Sequence, residues 1–337
     1  MLISFSIDPE ALTGSGPDLS AIVACHRRVI QEWRKHGMLI HSHDALKGSA
    51  LFKTLESLPQ ECRKLWQTAI STSRRRPSSI PWDGTFPNGE LSDMTPLASE
   101  FILALLDPTR AEAVCGLGTH ESSRFETSLN GMELCKFHSV GESTHITKAQ
   151  ELAVRSLSKG DNCGSEWNSR YTNHLKNADH VVVVDKYILA HHMRRYSNKE
   201  ISGLTRLLND CFSKPRDRQV NVKLICAVQN KSRNITAGEQ REIEAFVKNL
   251  ATRYSGGGIR KLECYVVKDS DFSADAHARF FRTDYLVFGI DRGLDSFGGY
   301  TAERDSVVWR NDTLACSHFS QQEVKLQANA ECHFNVI

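Results

Sequence analysis

Residues 178–185 read Ala-Asp-His-Val-Val-Val-Val-Asp, and this stretch decides how the second half of the chain folds. Four consecutive valines between polar residues are typical of a strand that is buried on both faces of a sheet. Helical and strand patterns alternate after it. They predict helix 197–213, strand 220–228, helix 237–251, strand 260–267 and strand 279–288. Such alternation predicts an α/β fold with parallel strands.

The first half of the chain shows a similar alternation. Residues 2–7 predict a strand that ends at Asp8-Pro9-Glu10, residues 18–36 a helix, and residues 74–95 a loop rich in proline and glycine. A length of 337 residues is sufficient for two domains. We therefore expect an N-terminal α/β domain and a C-terminal α/β domain, the second with a mixed or parallel sheet flanked by helices. The predicted boundaries are 1–160 for the first domain, a hinge at Gly160–Gly164, 165–325 for the second domain and 326–337 for a C-terminal tail.

The composition narrows the class of protein. A net charge of +2 gives no molecule-wide basic field, so contact with a polyanion must come from local patches. The ten cysteines are scattered singly without a C-x2-C pair, which disfavours a zinc site or a disulfide framework and indicates a reducing cytoplasm. No signal peptide and no apolar run of about 18 residues is present, so we expect no membrane span.

The strongest chemical signal lies in residues 277–297. His277, Arg279 and Asp284 follow the spacing H-x-R-x4-D, and the turn Asp291-Arg292-Gly293-Leu294-Asp295 comes next. On an extended strand, side chains two residues apart point to the same face. An imidazole beside a guanidinium is suited to binding an oxyanion, most naturally a phosphate. Taken alone, His277 would be read as an ordinary histidine on a core strand.

Three elements in the second half resemble the phospholipase D superfamily, whose signature is H-x-K-x4-D followed by a glycine-containing turn. They are most similar to the phospholipase D-like domain at the C-terminus of MIT-domain proteins and its bacterial relatives. The resemblance covers about residues 165–325. The elements are, in order, Asp185-Lys186-Tyr187, His277-x-Arg279-x4-Asp284, and Asp291-Arg292-Gly293-Leu294-Asp295.

The resemblance implies cleavage of a phosphodiester without a metal cofactor. His277 would act as the nucleophile or the acid, Arg279 would bind the phosphate, and Asp284 and Asp295 would orient the imidazole. Arginine stands where active members of the superfamily usually carry lysine. Arginine binds phosphate bidentately but does not easily give up a proton.

The remaining residues of the expected site are Arg292, which would also bind phosphate, and Asp185 and Tyr187, which would line the same pocket. The chain holds one such motif, whereas a complete site in the superfamily needs two, so we expect a homodimer to supply the second. The leading hypothesis is a nuclease that acts in bacterial antiphage defence, with nucleic acid as substrate and an operon partner. One alternative is a non-catalytic module that binds phosphate or nucleic acid, with any metal-dependent cleavage of RNA or DNA in the N-terminal domain. Another is an assembly protein that uses the C-terminal domain only to dimerise.

The first half contains a weaker signal. Asp8 and Glu10 follow the first strand in the manner of a PIN-like nuclease domain, which would hold Mg²⁺ or Mn²⁺ on several carboxylates. A surface Asp-Pro turn is the alternative interpretation. Arg74-Arg75-Arg76 suggests either a nucleic-acid contact or a solvated loop, and His41-x-His43 is a weak metal signal. Further acids would have to come from Asp44, Glu100, Asp107 or Glu121.

Overall fold

The computed structural model describes residues 1–13, 18–42, 46–88, 90–115, 124–126, 131–214, 218–227, 236–272, 279–311 and 313–337. The chain forms two compact units, Met1–Glu151 and Leu152–Ile337, each with its own sheet. The segment for which we expected a hinge, Gly160–Gly164, lies inside the second unit. Backbone hydrogen bonds tie it to residues 300–302, since Gly160 donates to Ala302 and Cys163 donates to Tyr300.

The first unit is an α/β sheet with helices on its faces. Its strands lie in the order β3-β2-β1-β4-β6-β5, and every neighbouring pair is parallel except β5 and β6. The elements are β1 (Ile3–Ile7), α1 (Leu19–His36), β2 (Gly37–His41), α2 (Ala50–Ser57), α3 (Gln60–Thr72), β3 (Arg75–Pro77), β4 (Leu103–Leu106), α4 (Pro108–Cys115), β5 (Arg124–Glu126), β6 (Glu133–Lys136) and α5 (Thr144–Val154).

Apolar patterning explains why this sheet is buried on both faces. Ile3, Phe5 and Ile7 of β1 pack into one core cluster, whereas Met38 and Ile40 of β2 pack into the cluster on the opposite face. Side chains alternate between the faces of a strand, so a strand that is apolar throughout needs cover on both sides. The stretch 74–95, which we expected to be loop, contains β3 at the sheet edge. The arginines of this stretch gave no apolar pattern typical of a strand. An edge strand can form without one because it needs little apolar surface.

The second unit has a seven-stranded mixed sheet. The strand order is β12-β11-β10-β7-β8-β9-β13, with β7, β8 and β9 parallel and the other pairs antiparallel. The elements are α6 (Cys163–Trp167), α7 (Asn173–Asn177), β7 (His180–Val184), α8 (Ile188–Ser197), α9 (Gly203–Phe212), β8 (Val220–Ala227), α10 (Ala237–Tyr254), β9 (Ile259–Val267), β10 (Phe280–Arg282), β11 (Val287–Ile290), β12 (Val308–Asn311), α11 (Thr313–Ala328) and β13 (Cys332–Asn335).

The valine strand behaves as its sequence predicts. Val181 and Val183 of β7 belong to the core cluster beneath α6–α10, while Val182 and Val184 belong to the cluster that contains Phe319 of α11. All four valines are at most 5% exposed. The α/β fold class is therefore confirmed, with β7 at the centre of its sheet.

Two expectations for the second unit were wrong. The stretch 279–288 forms a hairpin of β10 and β11 in place of one strand, because residues 283–286 turn back and Thr283 N–H donates to the Leu286 carbonyl at 2.9 Å. Residues 326–337, expected as a tail, complete α11 and form edge strand β13. Among the described residues, no helix combines the length and apolarity needed to cross a membrane.

Candidate functional site

A cleft of about 250 Å³ lies at the carboxyl end of β7 in the second unit. Turns after β7 and β11, the helix α8 and the residue before β10 converge there. The lining is dominated by arginine. It consists of His191, Arg194, Arg195, Arg279, Arg292, Asp295, Ser296, Glu303 and Arg304, which we call the arginine cleft.

Asp185 organises one wall of the arginine cleft. It is buried at the end of β7, where its two carboxylate oxygens accept hydrogen bonds from the backbone N–H groups of Tyr187 and Leu294, each at 3.0 Å. Burial raises the pKa of Asp185, and the Tyr187 N–H together with the Arg279 charge opposes that rise. The carboxylate thus joins the turn after β7 to the turn after β11.

The turn after β11 requires glycine. Gly293 has φ +71°, a backbone conformation that residues with a Cβ rarely adopt. A Cβ at this position would also lie 2.1 Å from Oδ2 of Asp185. This close approach places Arg292 and Asp295 on either side of the glycine, at the cleft.

Helix α8 supplies a second wall through residues spaced three and four apart. His191, Arg194 and Arg195 share one helix face because of this spacing. Nε of Arg195 donates to Asp295 at 2.6 Å, and its two terminal nitrogens donate to Glu200 at 2.7 Å and Glu303 at 3.1 Å. Although burial alone would lower the pKa of Arg195, its interactions with Asp295 and Glu303 raise it. Arg195 is therefore a structural cation.

Three other arginines of the cleft differ from Arg195. Arg279 lies over the Tyr187 ring, with its guanidinium carbon 4.9 Å from the ring centroid. Within the described residues, no carboxylate pairs with Arg279, Arg292 or Arg304 at ion-pair distance. Five guanidinium groups face two carboxylates, Asp295 and Glu303, in the cleft. The excess of positive charge and the available N–H donors suit an anion of phosphate size.

Most of the predicted site residues meet at this cleft. Arg279, Arg292 and Asp295 line it, Tyr187 packs against Arg279, and Asp185 holds the turns. His277 lies outside the described residues. Which of these residues act on a ligand stays a prediction.

Asp284 lies elsewhere. It accepts hydrogen bonds from the backbone N–H groups of Asp179 and His180 and contacts the His180 imidazole at 2.8 Å. Since β10 runs antiparallel to β7, Arg279 lies beside the end of β7 and Asp284 beside its start. Five positions along the chain separate the two, including the whole of β10, which corresponds to roughly 15 Å of extended backbone. The expected role of Asp284 in orienting a cleft imidazole does not fit this position.

Sequence reasoning missed Arg194, Arg195 and Arg304. The signal on α8 was present, since His191, Arg194 and Arg195 fall on one helical face beside an apolar face. Arg304 reaches the cleft from the segment between residue 298 and β12. No motif spacing connects that segment to the rest of the site.

The acidic residues of the first unit form an ion pair with an arginine. Asp8 follows β1 and Asp107 follows β4, and these two neighbouring strands lie where the strand order reverses direction. Open α/β sheets commonly bind ligands at such a point. Nε of Arg110 lies 2.6 Å from Asp8 Oδ2, and another nitrogen of the same guanidinium lies 2.8 Å from Glu10 Oε2. Burial raises the pKa of Asp8, whereas Arg110 opposes that rise.

The residues near Asp8 therefore do not fit the expected Mg²⁺ or Mn²⁺ site, because a guanidinium occupies the carboxylates that a metal would need. Glu100 pairs with Arg76 and accepts a hydrogen bond from the Ser79 N–H. Asp44 and Glu121 are outside the described residues. Among the described side chains, no group of three or more His, Cys, Asp or Glu is arranged to hold a metal ion.

The other weak signals of the first unit have structural partners. Arg74 is buried and donates to the Arg34 carbonyl at 2.6 Å, and Arg76 pairs with Glu100 at 3.1 Å. Two of the three arginines in that run are thus held within the fold. His41 is buried against the Ser42 carbonyl, and burial lowers its pKa. His43 lies outside the described residues.

No family model matches the chain, and no curated protein matches it. Among solved structures, the crystal structure of phosphatidylserine synthase from Haemophilus influenzae Rd KW20 is similar, with a TM-score of 0.30 and 11% sequence identity. The match covers 54% of this chain and 39% of that chain, so this chain spans about two fifths of the length of that enzyme. A similarity at this level carries no argument about activity, and the chemistry of the cleft is argued from its own residues.

Proposed function

We propose that the arginine cleft binds the phosphate group of a phosphodiester. The observation that carries this proposal is the set of three arginines, Arg279, Arg292 and Arg304, which line one cleft and form no ion pair with a carboxylate among the described residues. Charge-assisted hydrogen bonds to phosphate are among the strongest that proteins make. The resemblance of the sequence to the phospholipase D superfamily supports the same ligand.

The proposed reaction is hydrolysis of the bound phosphodiester, with nucleic acid as the substrate class. The feature that favours a reaction over binding alone is His277, which precedes the cleft residue Arg279 by two positions in the sequence. An imidazole at that place is a nucleophile of the required kind. The role in antiphage defence and the operon partner rest on no contact of the cleft and stay predictions.

Isothermal titration with inorganic phosphate tests the binding proposal directly. The double variant Arg292→Ala/Arg304→Ala should bind phosphate at least ~10-fold more weakly, since each hydrogen bond between charged groups contributes about 1.5–3 kcal/mol. Arg241→Ala is the matched control, because Arg241 is exposed on α10 and does not line the cleft. Equal phosphate affinity of the double variant and the wild type contradicts the proposal.

Cleavage is tested separately with labelled DNA and RNA in the presence of EDTA. The wild type should cleave without added metal, and His277→Asn should be inactive while it keeps its affinity for phosphate within a few fold. Phosphate binding without cleavage of either nucleic acid would reduce the function to that of a binding module.

A further inference from the structure

A second cavity of the second unit lies between helices α8 and α10, and we call it the α8–α10 groove. Its volume is about 470 Å³, which is within the range of sites that hold one small molecule. The two helices meet at this groove, where the rings of His192 and Phe246 pack with 5.2 Å between their centroids. Helix α8 contributes to both cavities, but the residues that line the groove differ from those that line the arginine cleft.

The walls of the α8–α10 groove are apolar and partly open to solvent. Phe246 and Leu250 of α10 are buried, whereas Met193 and Tyr196 of α8 are 40% and 64% exposed. Exposed apolar side chains that stand singly are common, but neighbouring ones that border a cavity indicate a binding surface. The Tyr196 ring is tilted by 14° from the plane of the His192 ring, with 6.3 Å between their centroids. These rings favour an aromatic occupant over an alkyl chain.

His192 supplies a buried polar atom to the groove. The residue is 5% exposed, and its Nδ1 lies 2.6 Å from the hydroxyl of Ser202, the residue that caps α9. Nε2 is the other polar atom of the ring, so it is the atom that can form a hydrogen bond with a ligand. Burial and the charge of Arg253 lower the pKa of His192 to about 4. At neutral pH the imidazole therefore offers a hydrogen bond without a charge.

Arg253 places a positive charge at one end of the groove. It is exposed in the last turn of α10, and no carboxylate of the described residues pairs with it at ion-pair distance. Its guanidinium carbon lies 5.5 Å from the centroid of the Tyr254 ring. Glu242 lines the other end, eleven positions earlier on the helix, which is ~16 Å along the axis. An anionic group is therefore stabilised near Arg253 and repelled near Glu242.

We propose that the α8–α10 groove binds a small aromatic molecule that carries one negative charge. The ring system of the ligand lies against Tyr196 and Phe246, its anionic group pairs with Arg253, and a polar atom bonds to Nε2 of His192. Inorganic phosphate has no surface to cover the apolar walls, so the two cavities take different ligands. This site is independent of the function proposed for the arginine cleft.

Two fluorescent probes that differ by one charge test the proposal. Anilinonaphthalene sulfonate is an aromatic anion, and phenylnaphthylamine is the same ring system without the sulfonate. Both probes fluoresce more strongly in an apolar site than in water, so titration of the native protein at pH 7.5 gives their dissociation constants. We expect saturable binding of both probes with one site per chain. Binding of neither probe would overturn the proposal.

Replacement of Arg253 tests the role of the charge. Arg253→Gln should bind the sulfonate probe about 10-fold more weakly and the uncharged probe within a few fold of the wild type. Arg241→Gln is the matched control, because Arg241 is an exposed arginine of the same helix that does not line the groove. An unchanged affinity of Arg253→Gln for the sulfonate, or equal losses for both probes, would contradict the proposal.

Filling the groove tests its location. Ala245 is exposed on α10 and lines the groove, so the indole of Ala245→Trp occupies the space that a ligand needs. Both probes should bind this variant at least ~10-fold more weakly, since they lose their contact with the aromatic walls. Lys248→Trp adds the same ring at an exposed position of α10 outside the groove and should bind as the wild type does. Equal binding by the two tryptophan variants would show that the probes bind elsewhere.

Inorganic phosphate separates the groove from the arginine cleft. Saturating phosphate and the double variant Arg292→Ala/Arg304→Ala should both leave the affinity for the sulfonate probe unchanged. Displacement of the probe by phosphate would place it in the arginine cleft and overturn the assignment. Titration at two protein concentrations tests whether a second copy of the chain covers the groove instead. Weaker binding of the probes at the higher concentration would indicate such a copy and contradict a small-molecule site.

Discussion

Gly293 and Asp185 depend on each other at the turn that carries Arg292. Gly293 has φ +71°, and its Cα approaches Asp185 so closely that a Cβ would lie 2.1 Å from the carboxylate. The N–H of the next residue, Leu294, donates to that carboxylate at 3.0 Å. A buried carboxylate with two backbone donors keeps this turn at the end of β7. Glycine is therefore needed here for two reasons, the positive φ and the close approach of the Asp185 carboxylate.

Comparison of two glycine variants separates these contributions. Gly160 also has positive φ, +93°, but a Cβ there would meet no atom within 4 Å. Gly160→Ala should lower the free energy of unfolding by about 1 kcal/mol, the cost of the backbone conformation. Gly293→Ala should lower it by at least ~2 kcal/mol more, because the Cβ clashes with Asp185. Urea denaturation measures both changes, and isothermal titration should show weaker phosphate binding for Gly293→Ala alone.

Similar losses for both variants, with phosphate affinity unchanged, would contradict a role of the turn in shaping the cleft. The comparison is well matched because both glycines belong to the second unit.

Several residues of the site were predictable because local spacing encodes them. Arg292 and Asp295 belong to one short turn, and Arg279 directly precedes a strand that pairs with β7 beside Asp185. The position of Asp284 was predicted wrongly, since its spacing from Arg279 was interpreted as part of one continuous strand and not of a hairpin. Arg304 had no signal, because a residue that reaches a site from a remote loop leaves no periodic trace in the sequence.

The elements of the second unit show why strand direction was harder to predict than strand existence. The turn between β10 and β11 contains Tyr285 and Leu286, and Leu286 is buried. These residues continue the apolar run, so the reversal lacks the glycine or proline that usually marks a turn. Thr283 supports it instead, through its Oγ1, which accepts from the Leu286 N–H at 3.3 Å. One continuous strand was expected where an antiparallel hairpin formed.

Helices α1 and α3 of the first unit are joined by a buried hydrogen bond that responds to pH. Nε1 of Trp66 donates to Nδ1 of His26 at 2.9 Å, and His26 is fully buried. Burial lowers the pKa of His26 to about 4, while a backbone bond to Leu12 opposes this shift. The ordinary pKa of histidine, near 6.5, applies in the unfolded chain. Below pH 6.5 the unfolded state thus binds a proton that the folded state does not.

The first unit should therefore lose stability as the pH falls from 6.5 to 4. A difference of about 2.5 pKa units corresponds to about 3 kcal/mol of unfolding free energy from His26. Its contribution is present in full above pH 6.5. Urea denaturation followed by tryptophan fluorescence at pH 7.5, 6, 5 and 4 measures the slope.

His26→Gln is the matched variant, since its amide oxygen can accept from Trp66 and does not titrate in this range. The variant should be less stable than the wild type at pH 7.5 and should lose less stability on acidification. Parallel pH profiles for both proteins would show that another group causes the acid sensitivity.

Across the whole molecule, the two units differ in how their charged side chains are paired. The arginine cleft of the second unit contains more guanidinium groups than carboxylates, whereas the carboxylates Asp8 and Glu10 of the first unit form ion pairs with Arg110. The net charge of +2 does not reveal this difference. Composition predicted only that any contact with a polyanion must come from a local patch. The α/β class followed from strand patterns such as the four valines of β7. The pairing of Asp8 with Arg110 did not, because 102 positions separate the partners and no motif links them.

The ion pair of Asp8 with Arg110 predicts that the first unit does not take up Mg²⁺ or Mn²⁺ in its native state. A divalent cation would have to displace a guanidinium whose nitrogens lie 2.6 Å from Asp8 and 2.8 Å from Glu10. The melting temperature of the wild type should therefore not rise when millimolar Mn²⁺ replaces EDTA. Arg110→Ala should be about 3–5 kcal/mol less stable, since it leaves the buried Asp8 carboxylate unpaired.

Removal of Arg110 should also make the site responsive to metal. With Asp8 and Glu10 free, Mn²⁺ replaces the missing cation, so Arg110→Ala should regain part of its melting temperature in Mn²⁺ and lose it again in EDTA. The double variant Asp8→Asn/Arg110→Ala lacks the buried carboxylate and should show no response to Mn²⁺. Stabilisation of the wild type by Mn²⁺ that Asp8→Asn abolishes would restore the metal-site hypothesis for this unit, because it would show that a metal displaces Arg110.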